Sequence, residues 1–168
     1  MNNQVRDNFR HCMRRLAATV CVITCQHDGM RYGITATAVT SLCFDPVSIL
    51  ACINSSSSLL QPLLASGKYC INLLSNQHTA VSQRFSTPLS ADERFAAGEW
   101  RSNAQGVPYL ADAQATLFCE LDQTLPYATH HIVIGQVSDC QFSEAIAPLL
   151  YQNGAYVTSA PLTTPVAG

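Results

Sequence analysis

The chain has 168 residues, of which 48% are hydrophobic and only 12% are charged, and its formal net charge at pH 7 is −2. This length predicts one domain, at residues 1–160, before a disordered tail at 161–168. The shortage of charged residues predicts a homo-oligomer that hides part of its surface. Lys68 is the only lysine, so the chain has no basic stripe for a nucleic-acid backbone, and we expect no nucleic-acid partner.

The first predicted element is an amphipathic helix at about residues 4–18. Arg6, Arg10 and Arg14 recur at every fourth position and would form a basic face. The opposite face would carry Val5, Phe9, Cys12, Met13 and Leu16. We interpret this helix as a solvated basic face over a packed apolar one. Because no signal peptide and no uncharged apolar run of membrane-spanning length is recognisable, we expect a cytoplasmic protein without a membrane partner.

Strands outnumber helices in the remainder of the chain. β-Branched and alternating runs predict strands at about 20–25, 31–40, 47–53, 69–74, 115–123, 131–138 and 149–158. Helices are predicted at 58–66 and 78–86, and the segment 87–114 is expected to be mostly irregular, with a helical turn near 92–95. Because many of the turns, such as Asp28-Gly29, are too short for parallel crossovers, the predicted fold is mainly β, an antiparallel barrel with a few helices.

The chain contains eight cysteines. In a chain of this size without a signal peptide, we expect reduced thiols rather than disulfides. Cys21 and Cys25 have no second close pair at zinc-finger spacing, so no metal site is expected. Four cysteines lie in apolar strand-like runs and are interpreted as small buried hydrophobic residues: Cys21, Cys52, Cys70 and Cys119.

Common catalytic motifs are absent from the sequence. The glycines never form G-x-G-x-x-G, and Gly67-Lys68 is followed by Tyr69 instead of the Ser or Thr of a phosphate-binding loop. There is no G-x-S-x-G or H-E-x-x-H motif either. If the protein is an enzyme, we therefore expect a cofactor to supply its chemistry.

Two polar segments are candidates for binding a cofactor. At 35–41, small and hydroxyl residues alternate with apolar ones, which suits a flat ring with polar edges but also an ordinary half-buried strand. At 54–58, Asn54 and four serines offer hydroxyl and backbone N–H donors for a phosphate. The alternative for Ser58 is a capping box with Gln61. Arg84 is the only basic residue between Lys68 and Arg94, and would either neutralise a phosphate or be solvated.

A third candidate is the pair His130-His131 at the start of a predicted strand. Such histidines could bind a metal, relay a proton or hydrogen-bond an amide. Because neighbouring strand residues point to opposite faces, only one of them can face a given site. A structural role remains the alternative for both.

In order and spacing, these segments resemble the short-chain flavin reductase family, which includes the reductase components of two-component monooxygenases. The resemblance extends over about residues 9–156. It rests on these blocks: Phe9-Arg10 with Met13, 33–39, Cys52-Ile53-Asn54, Asn72-Leu73-Leu74, Arg84-Phe85, Glu93-Arg94-Phe95 with Trp100, His130 before the strand that ends Gly135-Gln136-Val137, and Pro148-Leu149-Leu150-Tyr151.

The resemblance implies a homodimeric, FMN-binding split β-barrel that uses NADH or NADPH to reduce free FMN or FAD by hydride transfer. The reduced flavin would diffuse to a partner flavin-dependent monooxygenase. By the same resemblance, the flavin ring and ribityl chain would be lined by Thr35, Ala36, Thr37 and Ser41. The phosphate end would be held by Asn54, Ser57 and Ser58, with Arg84 and Phe85 nearby. His130 would be the catalytic residue beside the nicotinamide and the flavin, and His131 would point away.

The chain departs from the family pattern at two places. The family's Gly-Asp-His motif reads Ala128-Thr129-His130, and Val157 stands where many relatives have a histidine. Three alternatives stay open: a flavin-binding carrier or sensor without reductase activity, an oxidase of the pyridoxamine phosphate class that keeps its flavin, and a barrel that serves only in dimerisation.

Overall fold

The computed structural model describes residues 3–162. These residues form four helices: α1 (Asn3–Met13), α2 (Leu60–Ser66), α3 (Thr79–Ser86) and α4 (Ala91–Arg94). They also form twelve strands: β1 (Ala18–Thr19), β2 (Cys21–His27), β3 (Met30–Ala36), β4 (Val39–Phe44), β5 (Val47–Asn54), β6 (Lys68–Leu73), β7 (Trp100–Ser102), β8 (Pro108–Leu110), β9 (Ala115–Tyr127), β10 (His130–Phe142), β11 (Leu150–Gln152) and β12 (Ala155–Val157). Of the predicted disordered tail, residues 163–168 lie outside the described residues.

Seven strands form one antiparallel sheet in the order β3-β2-β6-β9-β10-β5-β4. Two smaller antiparallel sheets have the orders β1-β11-β12 and β7-β8. The hairpin β2-β3 turns at Asp28 and Gly29, whose φ angles of 50° and 75° are those of a type I′ turn. The prediction of a mainly β, antiparallel fold with a few helices is confirmed.

Strands β3 and β4 follow each other along the chain but form opposite edges of the seven-stranded sheet. Only Thr37 and Ala38 separate them, and three Cα–Cα steps span at most about 11 Å. The sheet is therefore rolled until its edges approach each other, although no ladder joins β3 to β4. The single strand predicted at 31–40 is wrong, because Ala36 pairs with β2 while the carbonyl oxygen of Ala38 accepts a hydrogen bond from the Cys52 N–H at 2.9 Å.

Both faces of strand β2 are buried, because its alternating side chains enter two apolar layers. Ile23 belongs to the larger layer, together with Leu63 of helix α2. Val22 belongs to the second layer, together with Phe85 of helix α3 and Leu110 of strand β8. This packing fixes α3 and the β7-β8 hairpin against the outer side of the rolled sheet.

All eight cysteines are free. Cys21, Cys70 and Cys119 are buried, which confirms their interpretation as small buried hydrophobic residues, whereas Cys52 is only half-buried. Burial raises the pKa of the Cys21 and Cys119 thiols to about 12, because a thiolate loses its hydration there. These two thiols are therefore uncharged at neutral pH, and we expect them to react slowly.

Helix α1 ends at Met13 instead of continuing to residue 18, and none of its residues is buried. Val5 and Phe9 on its apolar side are more than half exposed, and so is Leu16 beyond its end. The predicted packing of this face is wrong within a single chain, because none of the described elements covers it.

The segment 87–114 is more regular than predicted, since it contains helix α4 and the hairpin β7-β8. Helix α4 begins with a capping box, in which the Glu93 N–H donates to Ser90 Oγ and the Glu93 carboxylate accepts from the Ser90 N–H. Hydrogen bonds from the side chain and backbone of Ser90 lower the pKa of Glu93. The strand predicted at 149–158 is likewise two short strands, β11 and β12, joined by a turn.

Candidate functional site

A cavity of about 230 Å³ opens where the chain passes from strand β3 to strand β4. Three predicted site residues, Thr35, Ala36 and Thr37, line one wall. Helix α3 and the β11-β12 hairpin form the other walls, with Ser82, Tyr151 and Tyr156. The structure therefore brings the first predicted segment to a cavity, together with Ser82, Tyr151 and Tyr156, which the sequence did not identify as site residues.

Two hydrogen bonds hold the walls of this cavity together. Thr35 Oγ1 donates to the carbonyl oxygen of Ser82 at 2.7 Å, and Ser82 Oγ lies 2.8 Å from the Tyr156 hydroxyl oxygen. The rings of Tyr151 and Tyr156 meet edge to face, with their centroids 5.6 Å apart. The cavity thus combines aromatic walls with small polar residues, a composition typical of sites for flat ligands with polar edges.

The second predicted segment forms a compact turn at residues 54–58, which we call the serine loop. Asn54 Oδ1 accepts hydrogen bonds from the N–H of Ser56 at 2.9 Å and from its hydroxyl at 2.8 Å. This Asx turn uses the Asn54 side chain to shape the loop. Ser57 Oγ is buried without a hydrogen-bond partner, so the loop keeps an unused polar atom.

Ser58 does not cap helix α2, as the capping-box alternative would require. The helix begins at Leu60, and the preceding Leu59 provides no side-chain cap. Ser58 Oγ instead accepts a hydrogen bond from Arg94 Nη1 at 3.1 Å. The same Nη1 donates to the carbonyl oxygen of Gly33 at 3.2 Å, so Arg94 joins the serine loop to strand β3.

The guanidinium of Arg94 lacks a counter-charge. Its hydrogen-bond acceptors are the neutral oxygens of Gly33, Ser58 and Thr87, and its Nε atom is buried without a partner. Among residues 3–162, no ion pair involves Arg94. Arg94 is half-buried, and a partly desolvated cation is stabilised when an anion joins it, so this corner of the site favours an anionic ligand.

The sequence placed Arg84 and Phe85 near the phosphate end, and the structure places both in supporting positions. Arg84 Nη1 donates to the carbonyl oxygen of Glu93 at 2.7 Å, which joins helix α3 to helix α4. Phe85 is 2% exposed, and its ring centroid lies 5.0 Å from that of Phe95 and 5.1 Å from that of Trp100. We call these three rings the aromatic cluster.

The aromatic cluster contacts strand β3, which carries the cavity wall, at Gly33. A Cβ atom at this position would lie 2.5 Å from Phe85 Cε1, so only glycine lets strand β3 pass this close to the ring. Gly33 precedes the cavity wall by two residues, and its carbonyl oxygen is the one that Arg94 binds. The position of the cavity wall therefore depends on the packing beneath it.

His130 lies beside the serine loop rather than in the cavity wall. It is the exposed first residue of strand β10, opposite Asn54 in the register with strand β5. Its Nδ1 lies 2.9 Å from Thr129 Oγ1, and the Thr129 carbonyl oxygen accepts a hydrogen bond from the Ser55 N–H at 2.9 Å. His131 interacts elsewhere, with its Nδ1 3.2 Å from the hydroxyl of Thr124.

The predicted residues thus form two neighbouring groups, the cavity wall and the serine loop with His130. Ser41, Arg84 and Phe85 lie outside both groups. The cavity wall and the serine loop are linked by Arg94, and His130 borders the loop. Ser41, exposed on strand β4, lies outside the cavity lining, and Arg84 and Phe85 support the site from behind.

Within the described range 3–162, no cluster of His, Cys, Asp or Glu side chains could hold a metal ion. None of the helices in that range is long and apolar enough to cross a membrane.

A rolled antiparallel sheet has a cavity at its open seam, and the serine loop lies beside it with its Ser58 hydroxyl bound by the cationic Arg94. This arrangement suits a nucleotide-like ligand. A sequence model of the family described as "flavin reductase like domain" matches residues 13–160. The chain belongs to this family.

Relatives with known names agree with the family assignment. The reductase component of the FADH2-dependent resorcinol hydroxylase of Rhizobium sp. (strain MTP-10005) is 42% identical over 159 residues, covering 94% of this chain and 89% of that protein. The FMN reductase (NADH) RutF of Pseudomonas syringae pv. syringae (strain B728a) is 36% identical over 159 residues, covering 95% and 89%. The crystal structure of a flavin reductase domain protein from Arthrobacter sp. FB24 has a TM-score of 0.88 at 28% identity and covers 96% of this chain and 99% of that one. These relatives confirm the resemblance seen in the sequence and the enzyme class that it implied.

Proposed function

We propose that this chain transfers a hydride from NADH or NADPH to free FMN or FAD in the cytoplasm. The reduced flavin then diffuses to a separate flavin-dependent monooxygenase. The observation that carries the proposal is the cavity at Thr35–Thr37 beside the serine loop, where Arg94 binds Ser58 and has no counter-charge. The names of the relatives, an FMN reductase that uses NADH and a reductase component of an FADH2-dependent hydroxylase, support the choice of reductant and partner.

The serine loop fits the phosphate end of a flavin nucleotide. Ser57 Oγ and Arg94 Nε are both buried and both lack a partner. A phosphate beside the loop would neutralise the Arg94 guanidinium and would give it the anionic acceptor that its neutral partners do not supply. In a chain with a single lysine, Arg94 is the cation that the phosphate requires.

The cavity fits the flavin ring. Ala36 and Thr37 are small enough for the backbone to approach a ring closely, and Tyr151 and Tyr156 supply aromatic walls. Ser41, exposed on the adjoining strand, is available to the hydroxyl groups of the ribityl chain. A bound flavin supplies the two-electron acceptor of the reaction.

His130 is proposed to orient the carboxamide of the nicotinamide or to stabilise negative charge on the reduced flavin. Its Nδ1 is engaged by Thr129, which fixes the ring and leaves Nε2 free to face a substrate. Hydride transfer needs no protein nucleophile, in keeping with the lack of a nucleophile elbow in the sequence. Positioning of the two substrates is therefore the main task of the site.

Arg84 and Phe85 are proposed to act by supporting residues that contact the flavin. Arg84 holds the carbonyl group of Glu93, the residue that precedes Arg94. Phe85 supports Gly33, two residues before the cavity wall. Arg84 thereby positions Arg94, and Phe85 positions the cavity wall. Neither side chain touches the ligand.

We further propose that residues 1–160 form a single split-barrel domain that works as a homodimer. The uncovered apolar face of helix α1 supports this arrangement, as do the exposed Leu125 and Tyr127 at the tip of the β9-β10 hairpin. A second copy would cover these side chains and remove apolar surface from water.

The test is NADH oxidation by the purified protein, followed by absorbance with and without added FMN. We expect oxidation that depends on FMN and saturates in both substrates. Flavin binding without oxidation of NADH or NADPH would favour a carrier or sensor, and no flavin binding would refute the proposal. Light scattering of the same sample tests for the homodimer.

A further inference from the structure

A second groove, of about 440 Å³, adjoins the flavin cavity. It lies between the C-terminal end of helix α1, the link Thr37–Ala38 and the β11-β12 hairpin. Thr37 and Tyr151 line both the groove and the cavity, so the two form one continuous depression. A ligand that begins in the cavity can therefore extend into the groove.

The groove has fixed walls although helix α1 buries none of its residues. The N–H of Asn153 donates to the carbonyl oxygen of Arg14 at 3.1 Å, and Gln152 Nε2 donates to that of Arg15 at 3.3 Å. Asn153 and Gly154 form the tight turn of the hairpin, with φ angles of 51° and 84°. The end of the helix is thus held against a rigid hairpin.

The charge of the groove is positive. Arg10 and Arg14, one helical turn apart, both line it, and no acidic residue does. Arg10 is 3.3 Å from Asp7 in an exposed ion pair, whereas no carboxylate in residues 3–162 pairs with Arg14. Met13, Leu16 and Tyr151 make the remaining surface largely apolar. Two guanidinium groups beside an apolar floor suit an anionic group attached to a flat base.

We infer that this groove binds the diphosphate and adenosine of a dinucleotide. FMN ends in one phosphate, which the serine loop is proposed to hold, so a second cationic site has no use for FMN alone. NADH and FAD both carry a diphosphate and an adenosine, joined to a ring that belongs in the neighbouring cavity. The inference rests on the proposed function, because that function brings such nucleotides to the site.

Titration calorimetry of the flavin-free protein with ADP-ribose tests the inference without relying on turnover. Arg14→Gln is expected to weaken binding about tenfold, because it removes a charge-assisted hydrogen bond to phosphate. Arg10→Gln is expected to weaken it less, since Asp7 already offsets that charge. Arg6→Gln is the matched control, because Arg6 lies one turn earlier on the helix and does not line the groove. Unchanged affinity in Arg14→Gln, or no binding by the parent protein, would overturn the inference.

Two further measurements identify which dinucleotide uses the groove. If Arg14→Gln raises the KM for NADH with FMN as acceptor, the pyridine nucleotide lies there. If it weakens FAD binding but not FMN binding, the groove holds the adenylate half of FAD. A shift in the monomer–dimer equilibrium with no change in nucleotide binding would make the groove a subunit contact and refute the inference.

The two proposals can fail separately. Binding of ADP-ribose that depends on Arg14, in a protein that does not oxidise NADH, would refute the reductase and keep the groove assignment. Full reductase activity with identical constants for NADH, FMN and FAD in Arg14→Gln and the parent protein would refute the groove assignment alone.

Discussion

The aromatic cluster contacts Gly33 directly and the serine loop is joined to it through Arg94, yet the two regions differ in what they leave unsatisfied. Beneath the strand, Phe85 packs against Gly33 with no space to spare. Beside it, Arg94 binds the Gly33 carbonyl oxygen and keeps a buried donor without a partner. The cluster therefore contributes stability, whereas the loop retains polar groups for a ligand. Changes in the first should appear in the free energy of unfolding, and changes in the second in ligand affinity.

The largest effect is expected from Phe85→Ala. Removing this buried ring should lower the free energy of unfolding by about 3–5 kcal/mol, measured by urea denaturation, because a cavity is left in the aromatic cluster. Phe44→Ala is the matched control, since Phe44 is 86% exposed and should change stability by less than about 0.5 kcal/mol. A small stability loss with a large loss of FMN affinity would show that Phe85 contacts the flavin, contrary to this assignment.

Arg94→Gln tests the other side of the comparison. We expect FMN to bind roughly 30-fold more weakly, a loss of about 2 kcal/mol, because a charge-assisted contact with phosphate is removed. Riboflavin has no phosphate, so its affinity should change little, and fluorescence titration measures both. Arg101→Gln, at an exposed ion pair with Glu99, serves as the control. An equal loss for riboflavin would contradict a phosphate role for Arg94.

Gly33→Ala probes the contact between strand and cluster. The added methyl group would overlap Phe85 Cε1, so unfolding free energy should fall by about 1–3 kcal/mol. In the Phe85→Ala background the same change should cost much less, because the space is then available. Additive losses in this double-mutant cycle would mean that the strain lies elsewhere.

His130→Ala is expected to lower kcat about tenfold, since misplacing the nicotinamide raises the barrier without removing a flavin contact. The flavin dissociation constant should stay within about twofold, an effect under 0.5 kcal/mol. His131→Ala is the control, because His131 interacts with Thr124 instead. A loss of flavin affinity as large as the loss of kcat would count against this role for His130.

Local sequence patterns predicted the elements that depend on neighbouring residues. The turn at Asp28-Gly29 and helices α2 and α3 formed close to their predicted positions. By contrast, the run 31–40 reads as one strand because its pattern is continuous, and nothing local reveals that its halves lie on opposite edges of a rolled sheet. Ser58-x-x-Gln61 and Ser90-x-x-Glu93 both match a capping box, but only the second forms. Helix α2 begins at Leu60 with Leu59 at its N-cap, and the Ser58 hydroxyl accepts a hydrogen bond from Arg94 instead.

The residues at the candidate site show the same limit. Thr35, Ala36 and Thr37 could be predicted because they adjoin one another along the chain and come to line one cavity. Arg94 could not, because it lies 36 residues from Ser58 and 61 from Gly33, and only the docking of helix α4 brings them together. The sequence favoured Arg84, the only arginine between the loop and Arg94, although the block containing Arg94 was part of the family resemblance.

Tyr156 belongs both to the candidate site and to the packed interior. Its ring lines the cavity, and its hydroxyl is within hydrogen-bond distance of the buried Ser82 hydroxyl. Tyr156→Phe should lower the free energy of unfolding by about 1 kcal/mol, because it removes one hydrogen bond and leaves Ser82 Oγ without that partner. Ser82→Ala combined with Tyr156→Phe should cost less than the sum of the single changes, as measured by urea denaturation. Tyr127→Phe is the control, since Tyr127 is exposed. If the two changes add fully, the hydroxyls do not act as a pair, and α3 is held against the β11-β12 hairpin by packing alone.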